Sequence, residues 1–389
     1  MPTQRGIDSV VSTLALASHM SSFAELPDLV AREAAHAGLA EVRIYLADRQ
    51  ERVLREVTGR GVDAHQGGRD LHIDGTVAGL AYIRGESVRV VNEHRYWVPV
   101  LGGTERLGVL HVAYTGDPDH LAMRLLASMV GLLVVDKRSN SDAYARLIRT
   151  RPMAVSAEMQ WTLMPPSTFA NGRVAISAAT EPAYDNAGDS FDYALAGDVL
   201  HLAMFDAMGH DNAAGLVANL AVGAFRNQRR KSMDLSQFSQ GIEEIMTEEI
   251  VRTRFATAVM GELNMTTGVF SWVNRGHLPP VLIRDGRAHE LECEPSHPLG
   301  MDLELSVTVC REQLEPGDRL LLYTDGVIET RDFEDREFGL ERFVDFIIRY
   351  EADQLPVPET LRRLVQALRA YHHGKLDDDA TVLVCEWHG

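Results

Sequence analysis

The chain lacks any apolar run near the roughly 20 residues needed to span a bilayer, and its opening Met-Pro-Thr-Gln-Arg-Gly leads into no secretory signal pattern. Cysteine is scarce. Cys293, Cys310 and Cys385 stand apart without CxxC or Cys/His spacing, so neither a disulfide framework nor a zinc site is expected. Basic residues are few, 38 Lys and Arg against 56 Asp and Glu, for a net charge of −18. Duplex binding depends on neutralising phosphates with cations, so general nucleic-acid binding is set aside. These absences predict a soluble cytoplasmic protein with neither a membrane nor a nucleic acid as partner.

What the chain does have is globular composition, 45% hydrophobic and 24% charged, and at 389 residues room for two domains. From Val10 to Ala34 apolar residues recur at helical spacing. Val42 to Leu46 and Val53 to Val57 then alternate as a strand pair. A short helix between glycine breaks in the run Asp74-Gly75-Thr76-Val77-Ala78-Gly79 to Gly85, a strand after it up to Val90, a strand at Tyr96-Trp97-Val98-Pro99-Val100 and another at Leu107 to Val112 follow. Leu121, Leu125, Met129, Leu132 and Val135 repeat at three and four; this stripe suits either pairing with a second subunit or folding back on its own domain. Pro152 ends or kinks the run.

The second half reads as many antiparallel strands with a few helices, an α+β pattern in which two sheets flanked by helices would cover both apolar faces. Strands are expected at 174–177, 191–195, 199–205, 257–262, 268–274, 281–284, 287–291, 305–311, 320–324 and 381–386. Helices are expected at 213–228, 340–350 and 358–372, and around Ile242 to Ile250, where Glu243, Glu244, Glu248 and Glu249 read as a solvated face.

Aspartates sit at the strand ends. Asp189 follows Ala187-Gly188, Asp206 ends Val199 to Phe205, Asp325 follows Leu320 to Thr324, and Asp378 and Asp379 directly precede Thr381 to Val384. A lone Asp in such a place is more often a helix cap. The repetition argues otherwise: several carboxylates converging on one point repel unless a cation lies between them. An all-oxygen set without thiols favours Mg²⁺ or Mn²⁺ and suits phosphoryl chemistry.

Two resemblances follow from these residues. The gly-thr-x-ala-gly helix, the aromatic-x-pro-val strand and the leu-gly-val-leu strand resemble a GAF domain, which implies a sensory module for an unknown small-molecule or protein signal, or a dimerising one. Ala187-Gly188-Asp189, Phe205-Asp206-Ala207-Met208-Gly209-His210, Asn274-Arg275-Gly276-His277, Pro298-Leu299-Gly300, Pro316-Gly317-Asp318, Tyr323-Thr324-Asp325-Gly326 and Asp378-Asp379-Ala380-Thr381 resemble the SpoIIE-type branch of the PPM metal-dependent serine/threonine phosphatases. Gln160-Trp161-Thr162-Leu163-Met164-Pro165 resembles the gln-x-x-leu-leu-pro signature ahead of such domains.

Together they imply an N-terminal helix (1–21), a GAF-like α/β sensor domain (22–136), a helical linker (137–170) and an αββα phosphatase sandwich (171–389). The second resemblance implies two Mn²⁺ or Mg²⁺ ions, with Asp206 and the backbone carbonyl of Ala207, Asp325, Asp378 and Asp189 as metal ligands and Asp379 a weaker choice than Asp378. It implies hydrolysis of a phosphoserine or phosphothreonine protein, usually an anti-anti-sigma (STAS) factor, with Asp206 and Asp325 central to catalysis. A possible homodimer would be formed through the linker helices.

The sequence departs from the family pattern at Ala187 and Asp211, and Met208 stands where eukaryotic relatives carry a His. The proton donor to the leaving oxygen is therefore open between metal-bound water and His210, while His210 and His277 also suit structural roles holding their turns. Two other readings remain: a non-catalytic signalling scaffold with a degenerate phosphatase fold, and a small-molecule phosphatase.

Overall fold

The helical spacing from Val10 to Ala34 becomes two helices, and the alternation after it becomes a sheet. In the computed structural model, the described residues are 3–389 except 37, 60–67, 92, 182–183, 186–187, 210, 232–233, 250–253, 304, 353–354, 373, 375 and 377. The chain divides into two units, Met1–Pro152 and Met153–Gly389.

The first unit runs α1 (Thr3–Ser18), α2 (Leu26–His36), β1 (Leu39–Ala47), β2 (Val53–Glu56), β3 (Asp70–His72), α3 (Val77–Arg84), β4 (Val88–Arg89), β5 (Arg95–Gly102), β6 (Glu105–Tyr114), α4 (His120–Arg138) and α5 (Asp142–Ile148). Its strands form one antiparallel sheet in the order β3-β2-β1-β6-β5-β4. Because side chains alternate along a strand, Ile44, Leu46, Val98, Val100, Leu110 and Val112 share one face, buried together with Leu14, Leu29, Val30, Leu126 and Val130 of α1, α2 and α4. Tyr45, Leu54 and Val109 point to the opposite face and pack with Ala78, Ala81 and Tyr82 of α3. Helix α4 buries Ala122, Met123, Leu126, Ala127, Val130, Leu133 and Val134. The stripe anticipated for pairing lies elsewhere on it: Leu121 and Leu132 are exposed and Leu125 is at its edge. Folding back is thus achieved by a neighbouring face of the same helix.

The second unit runs α6 (Val155–Leu163), β7 (Thr168–Ala170), β8 (Val174–Glu181), β9 (Asp189–Ala196), β10 (Val199–Ala207), α7 (Asn212–Arg229), α8 (Leu235–Glu249), β11 (Ala256–Asn264), β12 (Val269–Arg275), β13 (Val281–Arg284), β14 (Arg287–Glu290), β15 (Cys310–Gln313), β16 (Arg319–Tyr323), α9 (Asp325–Glu329), α10 (Leu340–Ala352), α11 (Val357–Tyr371) and β17 (Ala380–Trp387). Two antiparallel sheets result, β15-β12-β11-β10-β9 and β14-β13-β16-β17-β8-β7. Ile176, Phe191, Leu200, Leu202, Met204, Leu320, Leu322 and Leu383 fill the space between them. Ala218, Ala221, Phe225, Phe238 and Ile242 of α7 and α8 cover the outer face of the first sheet. Phe343, Ile347, Leu361, Leu364 and Leu368 of α10 and α11 cover that of the second. The layers are therefore helix, sheet, sheet, helix, each apolar face meeting another.

Three expectations need correction. The strand expected over 305–311 is confined to Cys310–Gln313; its alternation had no core to meet, since Leu303 and Leu305 are half exposed. Glu243 is not on a solvated face but buried, accepting from Arg275 Nη2 at 2.7 Å and from the backbone N–H groups of Gly300 and Asp302, each at 2.8 Å. Helical spacing alone does not separate a solvated glutamate from one whose partners arrive from distant segments. Finally, Cys293 and Cys310 form a disulfide. The pairing is set by the return of the chain along the edge of the first sheet, where Cys310 lies opposite Trp272, which spacing in sequence does not disclose. Disulfides are rare in reducing compartments, so this cross-link and the cytoplasmic expectation pull in opposite directions. Among the described residues no helix is long and apolar enough to cross a membrane.

Strand β9 is tied to α7 by charge. Asp192, fully buried, receives Arg226 through Nε at 3.0 Å and Nη2 at 2.8 Å, and also Arg229. Removing one side of a buried ion pair strands the other. Both arginines keep some solvent contact, so Asp192→Ala is expected to cost about 3 kcal/mol, at the low end of that class, read as a lowered urea midpoint with an unchanged slope.

Candidate functional site

Strands β9 and β10 form a hairpin whose register sets Asp189 directly opposite Asp206. Like charges facing each other across a ladder are destabilising, and more carboxylates arrive from the second sheet. Asp325 opens α9 immediately after β16, and Asp378 and Asp379 lead into β17, the neighbour of β16. Asp189 and Asp379 are buried, Asp206 and Asp325 partly so, and Asp378 is exposed.

These groups act on one another. Burial, then Asp325 and Asp378, push the Asp206 carboxyl up to about 7. Asp379 is likewise raised to about 7, chiefly by burial with Asp378 and Asp206 adding to it, although the Gly188 N–H works against the rise. Asp189 is raised well above the carboxylate range by burial, by Asp206 and by Asp379. Asp325 is raised by burial, Asp378 and Glu329. Among the described residues, none of the leading groups that act on these four is a lysine, arginine or histidine.

The two buried aspartates are aimed by neutral donors. Thr324 Oγ1 donates to Asp189 Oδ2 at 2.6 Å and itself accepts from the Thr381 N–H at 2.9 Å. The Gly188 N–H donates to Asp379 Oδ2. Gln160 Nε2, reaching from α6, donates to the carbonyl of Asp189 at 2.7 Å. Two glycines permit the close approach. A Cβ on Gly188 would stand 2.5 Å from the Ala207 oxygen, and one on Gly326 would stand 2.0 Å from the Asp379 oxygen. Neither backbone could come so near with any other residue.

The Ala207 N–H donates to the Gly188 carbonyl at 3.0 Å, which pins the end of β10 beside Asp189. Beyond it, Arg254 donates to the Met208 carbonyl at 3.0 Å and grips Asp211 through both guanidinium ends, at 3.1 and 2.7 Å. Asp211 also caps α7, accepting from the Ala214 N–H at 2.8 Å, so the acid that departs from the family pattern serves the turn. His210 lies outside the described residues. His277 is structural: its Nδ1 lies 2.7 Å from Thr257 Oγ1 and its Nε2 lies 3.1 Å from the Tyr323 carbonyl. A carbonyl can only accept, so Nε2 carries the hydrogen and Nδ1 accepts from Thr257. Burial pushes this imidazole down to about 4, so it stays neutral while clasping β16 to the first sheet just ahead of Asp325.

Asp189, Asp206, Asp325, Asp378 and Asp379 are thus brought to one end of the sandwich, the inner pair oriented by hydroxyl and amide donors. Sequence reasoning missed Thr324, Thr381 and Gly188 as orienting groups, although each lies within two residues of an aspartate it had singled out. Gln160 lay in a motif whose purpose only the fold supplies. Among the described residues no group of three or more His, Cys, Asp or Glu side chains could hold a metal ion as it stands. The donor set nonetheless fits a hard divalent cation in kind, being all oxygen, anionic and, among the described residues, without a cationic side chain as a leading influence.

Residues 196–388 match the family model described as Stage II sporulation protein E (SpoIIE). The chain is 22% identical to the phosphoserine phosphatase RsbU of Bacillus subtilis over 235 residues, 59% of this chain and 68% of that one. It is 26% identical to protein IcfG of Synechocystis over 241 residues, 54% of this chain but only 37% of the relative. Among solved structures, that of the RsbU and RsbW domains of a Mycobacterium tuberculosis protein is 26% identical with a TM-score of 0.48, covering 58% of this chain and 62% of that one. The stretch matched takes in β10, α9 and β17 and with them Asp206, Asp325, Asp378 and Asp379, and residues 196–388 accordingly form a SpoIIE-type domain.

Proposed function

We propose that the protein is a metal-dependent phosphatase acting on a phosphoserine or phosphothreonine protein, a phosphorylated STAS-type regulator being the favoured substrate. The observation that carries this reading is the gathering of five aspartates, from both sheets, at one end of the sandwich, with no cationic side chain among the described residues as a leading influence on the four whose carboxyls are raised. Such a set is costly to assemble unless divalent ions complete it. The similarity to a phosphoserine phosphatase of Bacillus subtilis supports the same substrate chemistry.

Two Mn²⁺ or Mg²⁺ ions would be held by Asp206 and the carbonyl of Ala207, by Asp325 and Asp378, and by Asp189 and Asp379 from the buried side. When bound, such ions acidify water and neutralise phosphate oxygens. The chain's own part is to fix the ligands. Thr324 and Gly188 each occupy one oxygen of a buried carboxylate and so orient the other. His277, neutral, holds the strand end that presents Asp325. Arg254 braces the turn after Ala207 by donating to the Met208 carbonyl. The N-terminal unit is proposed as the sensor that regulates this centre, and the exposed Leu121, Leu125 and Leu132 of α4 as the face of a homodimer.

Asp206→Asn and Asp325→Asn are each expected to abolish Mn²⁺-dependent hydrolysis of an aryl phosphate and of a phosphorylated STAS protein while the thermal transition survives; full turnover in either variant refutes the assignment. Thr324→Val is expected to weaken Mn²⁺ binding by roughly 10- to 100-fold, measured by titration, with kcat recovering at saturating metal.

A pH effect follows from the raised carboxyls. Unfolded aspartate titrates near 3.9, whereas Asp206 and Asp379 hold their protons to about 7 in the fold. The folded state binds these protons more tightly, so their contribution to stability is lost as pH rises from about 4 to about 7 and is gone above that. In chelator, the melting temperature is expected to fall as pH is raised from about 5 to about 7.5 and then to level off, by about 2–4 °C for each kcal/mol. Mn²⁺ restores it most at the higher pH, and Asp206→Asn flattens the metal-free slope. A metal-free melting temperature that does not change over this window contradicts the account.

A further inference from the structure

The N-terminal unit contains a second chemical feature, unrelated to the aspartates. Helix α3 has eight residues and spans about 12 Å, whereas a strand of ten residues such as β6 runs about 33 Å. One short helix cannot cover that face of the sheet. Beside the part it covers lies a cavity of about 360 Å³, within the range of small-ligand pockets, roughly 300–1,000 Å³.

Its floor is set by register. Arg43 of β1 stands opposite His111 of β6, and His111 stands opposite Trp97 of β5, so the three side chains form a row across adjacent strands. Tyr45, two residues along β1, brings its ring within 5.4 Å of Trp97, and the Trp97 and His111 rings are 4.9 Å apart. Arg69 and Arg95 complete the basic lining. This is a floor of aromatic rings rimmed by three guanidinium groups, in a chain whose overall charge is −18.

Two of the three guanidinium groups already have carboxylate partners. Among the described residues Glu41 is the one carboxylate lining the cavity, and it pairs with Arg43 at 2.6 Å. Arg43 also meets Glu56, and Arg95 meets Glu93 at 3.0 Å on the exposed side. Among the described residues the guanidinium of Arg69 has no carboxylate partner, and the buried Nδ1 of His111 has no hydrogen-bond partner. Burial lowers the affinity of His111 for a proton, so at neutral pH its ring is an uncharged donor or acceptor. This nitrogen, on a half-buried side chain at the cavity floor, is available to a ligand atom.

We propose that this cavity binds a small organic anion with a flat ring system, the ring lying on Tyr45, Trp97 and His111 and the acid group meeting Arg69 and Arg95. Flat rings gain from stacking and edge contacts that a saturated ring of equal size does not offer. A planar guanidinium suits a carboxylate, which can take two parallel hydrogen bonds from it. This is independent of the metal-centre reading, because neither the residues nor the readout involve hydrolysis.

The test is calorimetric titration of the full chain, in chelator, with three probes of similar size: 2-naphthoate, its fully saturated analogue decahydro-2-naphthoate, and uncharged 2-naphthol. The expected result is one site per chain, with 2-naphthoate at least about tenfold tighter than either of the other two. Arg69→Gln, at an exposed position, is expected to erase most of the preference for 2-naphthoate over 2-naphthol while leaving 2-naphthol unchanged. Trp97→Leu is expected to erase the preference for the flat over the saturated ring. Arg84→Gln, outside the cavity, serves as the control and changes neither. Absence of saturable 2-naphthoate binding, equal affinity for the flat and saturated acids, or equal weakening of acid and alcohol by Arg69→Gln each overturns the proposal.

Discussion

Repulsion among carboxylates is the constraint around which the second unit is built. Asp189 and Asp206 face each other across one ladder, and Asp325, Asp378 and Asp379 approach from the other sheet. An apolar alternative at these positions would spare the fold this opposition, so the arrangement needs support from elsewhere. Part of it is visible in neutral donors: Thr324 to Asp189, Gly188 to Asp379, and the Gln160 amide to the Asp189 backbone. The rest comes from the sandwich itself, whose packed interior and two helical layers hold the strand ends in place.

The same end of the sandwich is braced by side chains that never face the aspartates. His277 clasps β16 while uncharged, because a protonated imidazole in that buried position would have to be desolvated as an ion. Glu243 and Arg275 form a buried ion pair that also fixes the backbone at Gly300 and Asp302. Leu299, between these contacts, bridges to Ala256 at the start of β11, the residue opposite Ala207. Charges thus appear in two roles within one layer, paired where they brace and unpaired where they gather.

Much of this was legible in the chain. Strands announced themselves by alternation or by short apolar runs, and the strand-end aspartates by repetition of one local pattern. What was not legible depended on partners distant in sequence. Glu243 sits among glutamates that are exposed, and only Arg275 and two backbone amides, brought in by folding, distinguish it. Cys293 and Cys310 are separated by 17 positions and joined by the path of an edge segment rather than by a spacing rule. The apolar stripe of α4 was visible, but a helix with apolar residues on two adjoining faces does not declare which will be buried. The cavity on the first sheet left no motif, since it arises from residues on four separate segments meeting by register.

The hydrogen bond from Gln160 gives α6 mechanical leverage on the aspartate pair. Successive residues of a helix are turned by about 100° and stepped by 1.5 Å, so sliding or twisting α6 by a single position takes the amide out of reach of the Asp189 carbonyl. Held in register, the helix steadies the first residue of β9, and with it one member of the facing aspartate pair, through that single bond.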